Sequence, residues 1–94
     1  MMAKQIAFCT RVVAGDTLET HSGLRISLAR VFVPRVDAPG GSLAKDRLTA
    51  KINNQIISYE VLVAEEYGSS ACEVWIGGLN VNDWMRSLGY DESY

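Results

Sequence analysis

Between Leu24 and Val33 the apolar side chains change sides. Leu24, Ile26 and Leu28 alternate with Arg25, Ser27 and Ala29, and then Val31 and Val33 take up the opposite parity. Period-two alternation lays one face of a strand on a core, so a change of parity inside one run marks a β-bulge or a bend. Pro34, just beyond, ends regular pairing because it has no N–H to give a neighbouring strand.

Four further runs read as strands. Residues 5–13 place Ile6, Phe8 and Val12 on one parity. Residues 17–20 continue after a Gly15-Asp16 turn, in which glycine supplies backbone freedom and aspartate a local hydrogen bond. Residues 56–64 set Ile57, Tyr59, Val61 and Val63 on one face, and residues 71–76 do the same with Cys72, Val74 and Ile76. His21-Ser22-Gly23 is hairpin chemistry, and Gly77-Gly78 suits a tight primed turn. A loop over 37–42 ends at Ser42, an expected N-cap for a helix over 43–53 with Ala44, Leu48 and Ile52 on its inner stripe. A second helix is expected over 80–88, with Trp84 and Leu88 as its core stripe and Gly89 just past its end. The order is three strands, helix, two strands, helix. It predicts an α+β, mainly β fold: a five-stranded OB-type barrel with a helix after the third strand and a short C-terminal helix.

Ninety-four residues predict one domain over 1–94, and a 48% hydrophobic content is enough for a core. The formal net charge of −2 is a poor match to a polyanion. No apolar stretch is long enough for a membrane span, so the expected location is cytoplasmic. Cys9 and Cys72 lie far apart and share the chain with one histidine, His21, which gives no zinc pattern. They are expected as buried thiols. His21 is assigned no role. Lys45, Arg47 and Lys51, interrupted by Asp46, read as a solvated helix face.

Three segments carry a family resemblance. Residues 12–18, VVAGDTL, resemble the V-x-D-G-D-T signature of staphylococcal nuclease-like domains. Residues 35–41, RVDAPGG, resemble their D-A-P-E or D-T-P-E, and residues 65–90 resemble their D-x-Y-G-R-x-L-A…V-N-x-x-L-V-x-x-G. The match runs from about residue 8 to 90. What the resemblance implies is an OB barrel and calcium-assisted phosphodiester hydrolysis. In that chemistry two aspartates and a carbonyl hold the ion, a glutamate serves the attacking water, and two arginines hold the phosphate. Convergence of metal, water and guanidiniums on one phosphate is what such chemistry requires.

Carried across, Asp16 and Asp37 take the metal-ligand positions, and the Ala38 carbonyl takes the backbone one. The other aspartate of D-G-D is Ala14, the glutamate is Gly40, and the arginine of Y-G-R is Ser69. The third-strand arginine falls on Phe32, or on Ser27 if the bend is an insertion. Arg30 and Arg35 are close enough in sequence to act as substitutes, and so are the catalytic and phosphate-gripping candidates should the chain be active. Loss of a base costs about 10²–10⁴-fold, and loss of one electrostatic stabiliser about 10²–10³-fold. The resulting expectation is a non-catalytic nuclease-like domain that binds nucleic acid or a protein. Asp16 and Asp37 are then at most a weak calcium site, or else they order their turns. Tyr67 is a candidate for stacking on a base, alongside Arg30 and Arg35 as nucleic-acid contacts. Trp75, on the outward parity of its strand, is a candidate partner surface. The alternatives are a calcium-dependent endonuclease with a rearranged site and an oligomer-forming accessory domain, such as a homodimer built on Trp75.

Overall fold

A computed structural model describes residues 4–66 and 68–91. Its elements are β1 (Gln5–Ala14), β2 (Thr17–Thr20), β3 (Arg25–Leu28), α1 (Gly41–Ile52), β4 (Ile56–Glu66), β5 (Ser69–Ile76), β6 (Leu79–Asn80) and α2 (Val81–Ser87). The first half of β1 pairs antiparallel with β4, and its second half pairs with β2. β2 pairs with β3, β3 runs parallel beside β5 from Ile26↔Ser70 to Leu28↔Cys72, and β5 returns antiparallel to β4. The pairings therefore close a ring, β1–β2–β3–β5–β4–β1. β6 is a sixth strand that the alternation did not reveal: a two-residue arm folded back on Trp75 and Ile76.

Leu18, Ile26, Ile57 and Val74 fill the ring, and Leu48 and Ile52 of α1 and Val81 and Met85 of α2 join them in one buried cluster. The stripe of α1, Gly41-Ala44-Leu48-Ile52, has the spacing of one helical face. The helix starts two residues earlier than Ser42 suggested. Its N-cap is Gly40, which makes no side-chain cap, and Gly41 is pressed against the chain at Arg35 and Val36. α2 begins at an Asn80 cap, whose side chain accepts a hydrogen bond from the Asp83 N–H at 2.9 Å. Its buried face is Val81, Asn82 and Met85, whereas Leu88 lies past the end and stays exposed.

Two parity readings are corrected. In β1, Ala7 and Cys9 point inward with Val12, while Ile6 and Phe8 face out. The register with β2 shifts between Cys9 and Arg11, and this extra residue turns the strand over between its two partners. In the third run the change of parity is the end of the strand rather than a bulge within it. β3 stops at Leu28, Arg30 takes a left-handed φ of 57°, and Val31 re-enters the core. No helix among the described residues is long and apolar enough to cross a membrane.

Candidate functional site

Gly15 and Asp16 form the two-residue link between β1 and β2. The glycine is needed for space, because its φ is not left-handed. A Cβ at residue 15 would lie 2.7 Å from the Ala44 Cβ and 3.2 Å from a Val33 methyl, so the turn is packed against α1. The Asp16 carbonyl accepts from the Leu28 N–H at 2.7 Å, and its carboxylate accepts from the Thr17 hydroxyl at 3.0 Å. The turn is thus tied to β3 on one side and to α1 on the other.

The second acid sits on the loop that enters α1. The Ala38 N–H donates to the Arg35 carbonyl at 2.9 Å and the Gly41 N–H to the Ala38 carbonyl at 3.0 Å, which coils residues 35–41 tightly. A Cβ on Gly41 would fall 1.7 Å from the Arg35 oxygen, so only glycine permits this approach. Asp37 is exposed, and its carboxylate lies 3.5 Å from the Arg35 guanidinium. Gly40 has φ +85°, a left-handed conformation that L side chains rarely adopt.

Arg30 is directed elsewhere. Its guanidinium, 75% exposed, lies 3.8 Å from Glu73 Oε2 on β5. The backbone beneath it is clamped by α2. Asn82, fully buried, donates to the carbonyls of Ala29 at 3.0 Å and Cys72 at 2.9 Å, and accepts from the Val74 N–H at 3.0 Å. Arg86 donates to the Ala29 and Arg30 carbonyls at 3.2 and 3.4 Å, and also pairs with Asp83. Sequence reasoning quoted Val81-Asn82 as part of the resemblance but gave Asn82 no task. The expected stripe of Trp84 and Leu88 sets Asn82 on the other side of the helix, and only the observed buried face of Val81, Asn82 and Met85 turns it inward.

Asp16 and Asp37 both lie on loops that meet the first turns of α1, whereas Arg30 sits at the β5–α2 side with Glu73 as its partner. Among the described residues, no three of His, Cys, Asp and Glu gather where a metal ion could be held. Calcium takes six to eight oxygens, of which carboxylates are only part; Asp16 and Asp37 offer two carboxylates, and Asp37 faces Arg35. Tyr67 lies outside the described residues. Trp75 is on the outer face of β5, half-buried, with the Lys4 ammonium 4.0 Å from its ring centre. Trp84 packs against the core and carries Lys51 at 4.7 Å.

Outside these positions, Glu19 on β2 is held between Arg11 of β1, at 2.9 Å, and Arg25 of β3, at 3.1 Å. The Arg25 and Arg11 guanidiniums keep its carboxyl below the usual glutamate range. Burial pushes the Cys72 thiol up to about 11 and also raises that of Cys9.

The ring of strands with its two helices defines a small, mostly β chain of the α+β class. No protein-family model matches it. It is similar to Endonuclease Htp3 of Saprolegnia parasitica, with 27% identity over 85 residues, covering 80% of this chain and 40% of that protein. The chain thus spans about two fifths of the length of the relative it matches.

Proposed function

We propose that the chain is a single cytoplasmic OB-type, staphylococcal nuclease-like domain that binds a macromolecular partner, protein in preference to nucleic acid, without cutting phosphodiesters. The observation that carries this reading is Gly40. A glutamate in its place would have to adopt φ +85°, at a cost of about 1–2 kcal/mol. The loop is therefore built for glycine, and the base is missing in backbone as well as in side chain. The deflection of Arg30 toward Glu73 supports the same reading.

Preference for a protein partner rests on how the cations are used. Of nine Lys and Arg residues, Arg11, Arg25, Arg30, Arg35 and Arg86 face carboxylates, and Lys4 and Lys51 lie over tryptophan rings. Lys45 and Arg47 alone lack such partners among the described residues. A phosphate backbone would have to compete for most of its contacts. The test is incubation of the purified protein with single-stranded DNA and RNA in millimolar calcium. No cleavage is expected; cleavage that disappears in Asp37→Ala would overturn the proposal.

The second reading, a calcium-dependent endonuclease with a rearranged site, has one observation behind it. Asp16 and Asp37 both lie on loops beside the start of α1, in a chain similar to a protein named as an endonuclease. The same assay decides between the two.

A further inference from the structure

The outer face of β1, β4 and β5 carries Trp75 and Glu73, with Arg30 beside Glu73. The register sets Phe8 opposite Ile56, Ile6 opposite Ser58, Ser58 opposite Trp75 and Glu60 opposite Glu73. An apolar strip thus runs into an acidic corner. Ile6 is 75% exposed and Ile56 66%, on a face where alternation ordinarily sets polar side chains. Beside them Trp75 offers a ring already covered by a cation, Lys4.

The acidic corner is poorly satisfied. Like charges directly opposite one another across an antiparallel pair repel. Glu73 Oε1 accepts from the Asn80 amide at 3.1 Å, but Oε2 is buried with no hydrogen-bond partner among the described residues. Arg30, at 3.8 Å, is near enough to attract it and too far to donate. Glu73 is the fixed group here: its side chain is 13% exposed and that of Arg30 75%. The cations nearest this corner, Lys4 and Arg30, stand on exposed side chains, and a partner's cation would have to displace them.

We propose that this face binds a segment of a partner protein that presents an arginine or lysine beside apolar side chains. The partner's cation would enter the Trp75–Glu60–Glu73 corner in place of Lys4 and Arg30, and its apolar neighbours would lie along Ile6, Phe8 and Ile56. The proposal rests on the binding function above and names the partner's chemistry. A short segment fits the face better than a second copy does. Three exposed apolar side chains are few against the roughly 800 Å² per partner that a stable complex buries. An acidic corner also rejects a nucleic-acid backbone.

The test is fluorescence anisotropy with a short labelled peptide alternating arginine and leucine, and a matched peptide with glutamate in place of arginine. Saturable binding of the first and none of the second is expected. Glu73→Gln, which keeps the acceptor for Asn80, and Ile6→Ser, at an exposed site, should each weaken binding about tenfold. Lys4→Ala should strengthen it by freeing the Trp75 ring. Asp46→Asn, on the far face of α1, changes net charge equally and should leave binding unmoved. No saturable binding, or equal weakening by Asp46→Asn and Glu73→Gln, overturns the inference. So does concentration-dependent self-association that Ile6→Ser abolishes, since that would make a second copy the occupant. Failure here with no calcium-dependent cleavage leaves the proposed binding function standing, whereas cleavage removes that function whatever the peptide does.

Discussion

Replacing Asn82 with alanine measures directly what ties α2 to the ring. The side chain is fully buried and serves three backbone groups on two segments: Val74 N–H, Cys72 C=O and Ala29 C=O. Without it the Val74 N–H loses its side-chain acceptor, and a buried amide left unpaired costs about 1–3 kcal/mol. The two carbonyls keep a second donor each, the Ala29 N–H for Cys72 and Arg86 for Ala29, at 2.9 and 3.2 Å. Their losses are then nearer the net worth of a hydrogen bond, about 0.5–1.5 kcal/mol each. The sum is roughly 2–6 kcal/mol, against a total stability of about 5–15 kcal/mol for a domain. Urea unfolding followed by far-UV circular dichroism should show the midpoint falling by that equivalent with the slope unchanged. Asn82→Asp supplies a sign test. Its carboxylate would face two carbonyls in a buried site, so its folded pKa would stand above the unfolded value of about 3.9. That variant should be at its most stable relative to wild type below the unfolded pKa and lose stability as pH rises through the folded one. Asn82→Ala should show no such pH trend relative to wild type. A loss below about 1 kcal/mol in Asn82→Ala, or an Asn82→Asp variant insensitive to pH, would refute the clamp.

Three further outcomes follow from the same geometry. Gly41→Ala places a Cβ 1.7 Å from a backbone oxygen, and Gly15→Ala one 2.7 Å from another Cβ; both should destabilise by at least about 1–3 kcal/mol, Gly41→Ala more, read by the same urea titration. Glu19, whose pKa is lowered by Arg25 and Arg11, contributes stability that is present above its unfolded pKa and lost as pH falls through the folded one. Glu19→Gln should therefore flatten the acid limb of a stability–pH curve, and added salt should shrink the difference. Cys9 and Cys72 are fully buried with raised pKa values, Cys72 to about 11, so a thiol reagent at neutral pH should label neither in the native state and both in urea.

The sequence made the order of strands and helices legible because hairpin chemistry and alternation are local signals. Thr17–Thr20, Arg25–Leu28 and the Cys72–Val74 face fall where the pattern set them. It misled where two partners compete for one strand. The shift between Cys9 and Arg11 reverses β1, and bulky Ile6 and Phe8 go outside while small Ala7 and Cys9 go in. Hydrophobicity alone favours the opposite choice; the register shift needed to reach both partners overrides it. The start of α1 was misplaced for a related reason. Ser42 has cap chemistry, but the close contact of Gly41 with Arg35, visible only in three dimensions, sets where the helix begins. The motif strings pick out Asp16 and Asp37 as candidates, and the structure sets both on loops beside the start of α1. The fate of the arginines depended on a backbone turn at Arg30 that no local pattern fixes.

That turn bears on how the site could change. Residues 29–41 are pinned at both ends by contacts to the backbone: the Ala29 and Arg30 carbonyls by Asn82 and Arg86, and the Arg35 carbonyl by the approach of Gly41. Between the pins, Arg30 and Gly40 both take a left-handed φ, and the Arg30 guanidinium stands 3.8 Å from Glu73. Side-chain replacement alone, such as Gly40→Glu with Ser69→Arg, would put a base on this loop at a left-handed φ and a guanidinium at the start of β5. Both pins oppose re-routing of the loop, because releasing Asn82 leaves buried polar groups unpaired and the approach of Gly41 to Arg35 admits no side chain. On this argument the double variant should fold less stably than wild type and still leave calcium-treated DNA intact. Cleavage by that variant would mean the pins yield, and that the distance from a nuclease is a matter of side chains alone.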